Sequence, residues 1–359
     1  MFTVIHTESS EGWGGQENRT LQEAIGLKKL GARVLIFCQP NSKLAIKAKA
    51  EGLEVFACPI RQSYDLVAIK RLLDLIKTEN IDIINTHSGK DSLLGAIAGR
   101  LSRKKPVIVR TRHLALPITS KITYSLLPHK IVTVSGYVKD YLVKEGIDSH
   151  KIAAIPTGVD LEKFDPNKVS GGLKQELNLP AATPLVGTIA ILRGKKGHRI
   201  LLEAVPSILD VFPDAHFIFA GNGPQQENLA KKIKESGLEK KIKMLGLRQD
   251  IPNVLKSIDV FVLPTLQEAL GTAFIEAMAM EVPVIGTAVG GVTEVIKDGV
   301  NGYLVEPNNP ADLAGKIITV LKDREKTRQM GKEGRKIVEQ SYSTATMCAK
   351  MFSLYESLL

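Results

Sequence analysis

The fold is decided by PTLQEALGTAFIEAMAMEVPVIG, which occupies residues 264–286. The apolar run DVFVLP that leads into it and the run PVIGTA that overlaps its end are of strand type. Between them lie a glycine-containing loop and a helical pattern. We expect this helix to begin near Thr272, because Gly271 is poor inside a helix and Thr is a fair N-cap. Strand, loop, helix and strand in this order predict one βαβ unit of a parallel sheet.

The same alternation extends outward through the whole chain. The short strand-type runs are TVIHT, RVLIF, LEVFA, DIINTH, PVIVRT, KIVTVS and KIAAIP in the first half, and LVGTIAIL, HFIFAG, KIKMLG, DVFVLP and PVIGTA in the second. Longer amphipathic stretches separate them, and one clear helix is expected at residues 66–77, where apolar side chains recur at helical spacing. Alternating strands and helices predict parallel sheets covered on both faces.

A break in this alternation divides the chain. Residues 156–184 contain several Gly and Pro residues and no sustained apolar run, which is typical of a linker. We therefore predict two Rossmann-like, doubly wound α/β domains with parallel sheets, facing a cleft. Their bounds are 1–165 and 184–341, with a linker at 166–183. Residues 342–359 have the spacing of a further helix, which either packs on the C-terminal domain or crosses back to the N-terminal one.

Composition narrows the class of protein. Of the 359 residues, 44% are hydrophobic and 24% are charged, as in ordinary globular proteins. Three cysteines give neither a disulfide framework nor a metal-binding spacing. No apolar stretch reaches the roughly 18 residues of a membrane span, and the start MFTVIHTESS lacks the features of a signal peptide. We therefore expect a cytoplasmic protein.

The net charge of +10 has three interpretations. The basic groups form an ordinary solvated surface, or they contact an anionic acceptor or anionic lipid at the inner face of the cytoplasmic membrane, or they bind nucleic acid. Only 5% of the residues are aromatic and no nucleic-acid motif is present. We therefore expect no nucleic-acid partner, and a peripheral membrane contact stays open.

The loop and helix that follow residue 264 carry candidate binding groups. A helix that starts at Thr272, directly after Gly271, points free N–H groups at an anion such as phosphate. Glu276 lies four residues further on the same helical face, so its carboxylate can accept hydrogen bonds from a ribose diol. Glu268 lies in the loop, where it can reach a sugar hydroxyl. For each glutamate taken singly, a solvated surface charge is the alternative.

Glu268 and Glu276, with seven residues between them, resemble the E-x7-E element of the retaining family-4 (group 1) glycosyltransferases, which have the GT-B fold. Further segments resemble the same family, and they are EAMAMEVPVIG, GGVTEVIKDGVNGYLVEP, GGQENR at residues 14–19, IPTGVDLEKF at 155–164 and AGNGP at 220–224. The likeness covers nearly the whole chain, and the order and spacing of the segments are more specific than any one of them. It implies that Glu268 acts on the transferred sugar as a catalytic group.

The turn ILRGKKGH, residues 191–198, carries Arg193, Lys195 and Lys196 at the end of the first strand of the second domain. Fixed cations there stabilise the charge that develops on a leaving nucleoside diphosphate. In the family that the chain resembles, an arginine stands five residues before the lysine, but that position is Ile191 here. We therefore assign Lys196, and Arg193 in place of the missing arginine, to donor binding and catalysis. A solvated basic turn is the alternative.

The resemblance assigns residues of the first domain as well. Gly15, in the glycine-rich loop, approaches the donor diphosphate, and Gly14 and Arg19 of the same motif lie on the acceptor side. His113, at the end of the fifth predicted strand, lies near the donor sugar as a catalytic group. His87 ends the fourth strand and belongs to the acceptor side. A structural hydrogen-bonding role is the alternative for both histidines.

The resemblance implies a retaining glycosyltransferase that moves a sugar from a nucleotide-diphosphate sugar to a glycan or lipid-linked acceptor. We expect a UDP-sugar first, with GDP- and ADP-sugars as alternatives, and no cofactor. The chain has no Asp-x-Asp pair, so we expect no metal site. The segments TRHLALP and LRGKKGHRILLEA resemble enzymes of bacterial lipopolysaccharide or envelope polysaccharide biosynthesis.

Three alternatives remain open from the sequence. A nucleotide-sugar 2-epimerase has a related fold and donor but needs no acceptor. A non-catalytic nucleotide-sugar-binding protein is compatible with the altered arginine position. A nicotinamide dehydrogenase is disfavoured, because GNGPQQ has Gln226 where the dinucleotide fingerprint has its third glycine.

Overall fold

The computed structural model describes all 359 residues. It divides into two compact units: the first contains Met1–Gly158 together with Thr344–Leu359, and the second contains Val159–Ser343. Each unit is built around one fully parallel sheet, of seven strands in the first and six in the second. The predicted fold class, two doubly wound α/β domains, is confirmed.

The first unit holds the elements β1 (Thr3–Glu8), α1 (Gly15–Lys29), β2 (Arg33–Cys38), α2 (Lys43–Ala50), β3 (Glu54–Ala57), α3 (Leu66–Thr78), β4 (Ile83–Thr86), α4 (Gly89–Leu101), β5 (Val107–Arg112), α5 (Ile122–Ser125), β6 (Lys130–Thr133), α6 (Gly136–Lys144) and β7 (Ile152–Ala154). The strands lie in the order β3-β2-β1-β4-β5-β6-β7. Successive side chains of β1 alternate between two cores, since Val4 packs in one cluster and Ile5 in the other. Both faces of the sheet are therefore covered, as the continuous apolar strands require.

The second unit holds α7 (Leu173–Glu176), β8 (Leu185–Ile189), α8 (His198–Leu209), β9 (His216–Ala220), α9 (Gln226–Glu235), β10 (Ile242–Gly246), α10 (Ile251–Ser257), β11 (Val260–Leu263), α11 (Thr272–Ala279), β12 (Val284–Thr287), α12 (Val292–Val295), β13 (Gly302–Val305), α13 (Pro310–Lys322) and α14 (Arg324–Ser341). The strand order is β10-β9-β8-β11-β12-β13. Short 3-10 helices occupy Ser149–Lys151 in the first unit and Gly194–Lys196 in the second.

The last helix, α15 (Thr344–Glu356), returns to the first unit and packs along α1. Its Tyr355 is fully buried; the hydroxyl donates to Glu23 Oε1 at 3.0 Å and accepts from Asn85 Nδ2 at 2.7 Å. A Cβ on Gly26 of α1 would lie 2.2 Å from the sulfur of Cys348. The two helices are therefore in closer contact than any larger residue at position 26 would allow.

The segment expected as a linker has structure of its own and belongs to the second unit, which begins at residue 159 instead of 184. Leu173 of α7 is fully buried, and its N–H donates to the hydroxyl of Ser257 on α10 at 3.0 Å. The N–H of Gly172 donates to Asn253 Oδ1 at 3.0 Å. One buried apolar side chain and two side-chain acceptors thus hold this segment against α10. Its helix has only four residues, which is too short to show helical periodicity in the sequence. Of the chain's helices, none combines the length and the apolar character needed to span a bilayer.

Candidate functional site

Each sheet has one pair of neighbouring strands at which the strand order changes direction: earlier strands are added on one side of this pair and later strands on the other. β1 lies beside β4 in the first sheet, and β8 lies beside β11 in the second. Loops that leave two such strands run to opposite sides and open a crevice at the carboxyl edge. His87 directly follows β4 and His113 follows β5, while Lys196 and Glu268 lie in the loops after β8 and β11. Each unit therefore collects predicted residues at the carboxyl edge of its own sheet.

In the second unit, Lys196 and Glu268 form an ion pair. The lysine Nζ lies 2.5 Å from Glu268 Oε2, and both side chains are 17% exposed. Two hydrogen bonds join their loops, because the N–H of Leu266 and the hydroxyl of Thr265 both donate to the carbonyl of Lys195, at 2.7 and 3.0 Å. The two predicted residues thus contact each other directly.

Gly197 sets the direction of the lysine loop. Its φ of 73° lies in the left-handed region, which glycine adopts without a steric cost. A Cβ at this position would lie 1.8 Å from the carbonyl oxygen of Pro264. The backbone next to Lys196 therefore passes against the loop after β11 at a distance that only glycine allows, and this contact aims the lysine at Glu268.

The helix that carries Glu276 begins at Thr272, as predicted, but the residue before it forms the cap. Gly271 has a φ of 94° and occupies the N-cap position of α11, so no side-chain oxygen caps the first turn. Phe274 is fully buried and meets Phe261 of β11 edge to face, with ring centroids 5.5 Å apart. The helix is therefore held against its sheet by apolar contacts, and its first N–H groups have no side-chain acceptor.

Glu276 is half-buried, and its carboxylate has no hydrogen-bond or ion-pair partner in the chain. Burial raises the pKa of this carboxyl to about 7, and the nearby Lys163 opposes the shift. A partly dehydrated acceptor without a donor is a group prepared for a ligand. Lys163 was not predicted as a neighbour of Glu276, although it lies in IPTGVDLEKF, one of the segments that carried the family resemblance.

Arg193 does not join this cluster. It is exposed, makes no ion pair, and lines a separate pocket of about 110 Å³ with residues of α9 such as Asn228 and Lys232. The assignment of Arg193 as a replacement for the arginine missing at Ile191 therefore has no support from its position. Arg193 has extended backbone, with a φ of −117° and a ψ of 150°, and precedes the 3-10 turn that contains Lys196.

The glycine-rich loop of the first unit leads into α1. Gly15 is the first residue of this helix, and a Cβ added there would meet no atom within 4 Å. Gly14 is extended, with a φ of −153°, and its N–H donates to Glu17 Oε2 at 2.7 Å. The fold itself therefore does not require glycine at position 15, and the open space in front of it is available to a ligand.

Arg19 was predicted on the acceptor side, and the structure corrects this. Its side chain is fully buried; Nη1 donates to the carbonyl of Ile155 at 2.7 Å and to Thr157 Oγ1 at 3.2 Å. Nε lies 3.5 Å from Glu23 Oε2. A buried guanidinium with these partners holds the end of the first unit together, and it is not accessible to an acceptor.

Three histidines form a chain of hydrogen bonds under the carboxyl edge of the first sheet. His6 Nδ1 lies 2.9 Å from His87 Nε2, and His87 Nδ1 lies 3.0 Å from His113 Nε2. Burial lowers the pKa of all three imidazoles, and for His87 and His113 it lowers the pKa well below the ordinary value. His113 is therefore neutral at neutral pH and is oriented by His87, while His6 completes the chain.

A pocket of about 210 Å³ opens beside this histidine chain, and we call it the first-unit pocket. Its walls include His87, His113, Arg110, Arg112 and Tyr124. The two arginines and the tyrosine were not predicted as site residues. Their signal in the sequence is the alternation in VIVRTR, which places both arginines on one face of β5.

Comparison with known proteins identifies the family. Residues 13–163 match the model of Glycosyltransferase Family 4, and residues 172–337 match that of Glycosyl transferases group 1. The UDP-Gal:alpha-D-GlcNAc-diphosphoundecaprenol alpha-1,3-galactosyltransferase of Escherichia coli is 31% identical over 308 residues, which cover 81% of this chain and 79% of that protein. The N-acetyl-alpha-D-glucosaminyl L-malate synthase of Bacillus anthracis is 25% identical over 307 residues, covering 82% and 80%.

Solved structures agree on the fold. A glycosyltransferase from Rickettsia africae superposes with a TM-score of 0.91 at 25% identity, covering 99% of this chain and 98% of its own. Anabaena Alr3699/HepE in complex with UDP and glucose superposes with a TM-score of 0.84 at 22% identity, covering 99% and 100%. Together with the two parallel-sheet units, these matches show that the chain belongs to the group 1, family-4 glycosyltransferases and has the GT-B fold.

Proposed function

We propose that this glycosyltransferase moves a sugar, with retention at the anomeric carbon, from a UDP-sugar to a glycan or lipid-linked acceptor of bacterial envelope polysaccharide or lipopolysaccharide biosynthesis. The observation that carries the proposal is Glu276, a half-buried carboxylate with no partner in the chain. It lies in the second turn of α11, and no side chain caps the N–H groups of the first turn of that helix. A nucleoside diphosphate satisfies both, with its ribose diol on the carboxylate and its phosphates at the helix end.

Lys196 and Glu268 divide the work at the reacting end of the donor. When the diphosphate binds, Lys196 exchanges Glu268 for the phosphate oxygens, because the dianionic leaving group offers it more negative charge than one carboxylate. Glu268 is then free to accept a hydrogen bond from a hydroxyl of the transferred sugar. As the glycosidic bond breaks, charge accumulates on the departing phosphate, and a lysine already in position stabilises it without reorganisation.

In the first unit, Gly15 leaves room for the donor diphosphate, and neutral His113 contacts the transferred sugar or the attacking hydroxyl. The first-unit pocket has no Asp or Glu in its walls, and we assign Glu268 to a hydroxyl of the transferred sugar, so the proposal includes no carboxylate nucleophile. Same-face attack, from the side on which the phosphate departs, is what the family resemblance implies for a retaining enzyme. The phosphate oxygen then takes the proton of the attacking hydroxyl, and the new glycosidic bond forms as the old one breaks.

The names of similar proteins support the choice of donor and acceptor. The relative from E. coli uses UDP-galactose and a diphosphoundecaprenol-linked sugar, and Anabaena HepE has been solved with UDP-glucose. The net charge of +10 fits an enzyme that meets an anionic acceptor at a membrane surface, held there peripherally. GDP- and ADP-sugars are the alternative donors.

A thermal-shift panel of UDP, GDP, ADP and their sugars tests the donor. A ligand that binds the native state at about 100 times its Kd stabilises it by about 2.7 kcal/mol, so UDP should raise the melting temperature and the other nucleotides should not. Preference for GDP or ADP would replace the proposed donor, and no response to any nucleotide would overturn the binding site.

Transfer itself is tested with the UDP-sugar selected by the panel and a lipid-linked acceptor. Proton NMR of the product should show the same anomeric configuration as the donor, and EDTA should not reduce the rate. An inverted product would overturn the same-face mechanism, and loss of activity in EDTA would overturn metal independence. Turnover of the UDP-sugar to its 2-epimer without an acceptor would establish the epimerase instead.

A further inference from the structure

Two arginines with no acidic partner share one wall of the first-unit pocket. Arg110 and Arg112 lie two residues apart on β5, and both stack on the ring of Tyr124, with 3.6 and 5.2 Å between guanidinium carbon and ring centroid. Neither makes an ion pair within 4.0 Å. Two like charges held together in this way repel each other, and a bound anion would relieve that repulsion.

The existing contacts leave donors of both guanidinium groups unused. Arg110 donates from Nη1 to the carbonyl of Thr123 at 2.8 Å, and burial lowers the pKa of its guanidinium. Arg112 donates to the hydroxyl of Tyr124 and to the carbonyl of Leu116, whereas its Nε is buried and has no acceptor. Each guanidinium group has five N–H donors, so both retain donors for a further acceptor.

The acid whose charge acts on Arg110 does not form an ion pair with it. Asp91 acts on Arg110 only at a distance, and its own carboxylate is fully buried. It already accepts hydrogen bonds from the hydroxyl of Thr7 and from the backbone N–H groups of His87 and Ser88. The pocket walls include no Asp or Glu, so an anionic ligand in the pocket would be the first anion to pair directly with these guanidinium groups.

The rim of the pocket is apolar. Leu114 and Leu116 line it and are 49% and 43% exposed, and Ile122 and Leu126 of the same segment are 57% and 66% exposed. Single exposed apolar side chains are ordinary, but four within residues 114–126 beside a cationic pocket are characteristic of a binding surface. Cations below and apolar groups around them match a ligand with a phosphate head and a hydrocarbon tail.

We propose that the first-unit pocket binds the phosphate or diphosphate of a lipid-linked acceptor, with Arg110 and Arg112 on the phosphate oxygens and the apolar rim on the first carbons of the lipid. This inference rests on the proposed function and narrows the acceptor to a sugar linked through phosphate to a lipid. It also places that phosphate beside His113, so the acceptor sugar is anchored next to the group that contacts the reacting hydroxyl.

Isothermal titration with geranyl diphosphate, a short soluble prenyl diphosphate, tests the pocket directly. Arg112→Gln should weaken its binding at least about tenfold, the effect of losing one charge-assisted hydrogen bond. Thr119→Glu, which adds a carboxylate at an exposed position of the pocket wall, should abolish binding without disturbing the core. Lys121→Gln also removes one positive charge, but from an exposed position outside the pocket walls. This variant should bind geranyl diphosphate like the wild type.

Further titrations separate the possible sources of the phosphate. Inorganic pyrophosphate should bind more weakly than geranyl diphosphate, because it lacks the hydrocarbon tail. Arg112→Gln should not change the binding of the protein to vesicles that contain phosphatidylglycerol. Loss of vesicle binding in Arg112→Gln, with no binding of geranyl diphosphate to the wild type, would make the pocket a headgroup site and overturn the proposal.

Two more results would contradict the acceptor site, and each is distinguishable from failure of the proposed function. Equal affinity of the wild type and Arg112→Gln for geranyl diphosphate would remove the pocket as its site. Equal losses of affinity for geranyl diphosphate in Lys121→Gln and Arg112→Gln would show that binding depends on the overall positive charge and not on the pocket. UDP titrated in parallel reports on the donor site of Glu276 and Lys196, so normal UDP binding in all variants leaves the proposed donor site standing whichever result is obtained.

Discussion

Glu276 offers a prediction in which stability and ligand binding change in opposite directions. Burial raises the pKa of its carboxyl from 4.5 to about 7, so the unfolded chain loses this proton at a lower pH than the folded protein does. The free energy of unfolding therefore falls as the pH rises from 4.5 to about 7 and stays low above that range. Since each pKa unit corresponds to about 1.4 kcal/mol, the loss at pH 8 is at most about 3 kcal/mol.

Glu276→Gln keeps the size of the side chain and removes the charge. In the absence of ligand, we expect this variant to be more stable than the wild type by as much as about 3 kcal/mol at pH 8, and by less than about 1 kcal/mol at pH 5. The same change should weaken UDP binding by about one to two orders of magnitude, because the charge-assisted hydrogen bonds from the ribose diol to the carboxylate are lost. In the wild type, UDP affinity should increase from pH 6 to pH 8 as Glu276 ionises.

The assays are thermal unfolding at pH 5 and pH 8 without ligand, and titration with UDP at both values. Glu227→Gln is a matched control, because Glu227 is an exposed glutamate near the start of another helix of the same unit, and neither quantity should change in it. The reasoning is refuted if Glu276→Gln has the UDP affinity of the wild type. It is also refuted if the stability difference between the two proteins is the same at both pH values.

Three further predictions concern other parts of the site. Lys196→Ala should reduce kcat by roughly two orders of magnitude or more in steady-state transfer assays, because the leaving phosphate loses its fixed cation. Gly197→Ala should lower the melting temperature, since a Cβ there overlaps the carbonyl of Pro264 in a left-handed backbone; Gly194→Ala, where a Cβ meets nothing within 4 Å, should not. Nitrogen-15 NMR should find His113 neutral from pH 6 to pH 8 with its proton on Nδ1, because His6 Nε2 is buried without a partner and the chain of rings then donates toward His113.

Each of these has a contradicting outcome. Near-normal kcat in Lys196→Ala would remove the lysine from the chemistry, and Lys195→Ala controls for loss of a neighbouring charge. Equal melting temperatures for the two glycine variants would show that the lysine loop relaxes around a Cβ. A His113 resonance that titrates near pH 6.5 would contradict the buried, neutral chain of imidazoles.

The sequence predicted the strands well because each is a short β-branched run whose identity depends on local pattern. Twelve strands of the structure coincide with the runs quoted from the sequence, and β13 (Gly302–Val305) was missed. That strand has four residues, GYLV, beside a turn and carries too little alternation to recognise. The start of α11 at Thr272 was also predicted, because Gly271 interrupts the helical pattern there.

The site was less accessible to sequence reasoning, because it depends on side-chain directions and on contacts between distant residues. The pairing of Lys196 with Glu268 follows from the turn at Gly197, and no spacing rule gives the direction of that turn. Arg193 stands three residues from the lysine in sequence, yet it lines a pocket whose walls do not include Lys196. Arg19 matched the family motif, but its burial depends on Ile155, which is 136 residues away in the chain.

The histidine chain shows where the signal could have been found. His6 lies in β1, and His87 and His113 follow directly after β4 and β5. A doubly wound sheet places these three strands side by side, so their carboxyl ends are neighbours. Combining the strand order with the positions of the histidines would have predicted that they meet, although the hydrogen bonds between them require coordinates.

The return of α15 to the first unit has a consequence for how the protein is made. The part of that unit before residue 158 leaves the ribosome long before Thr344 is synthesised, and at about 5–20 residues per second the interval is about 10–40 s. During that time the face of α1 that receives Tyr355 and Cys348 is uncovered and must be kept from aggregating. A chain truncated at residue 343 therefore lacks the helix that covers α1, and its defect lies in the portion that is synthesised first.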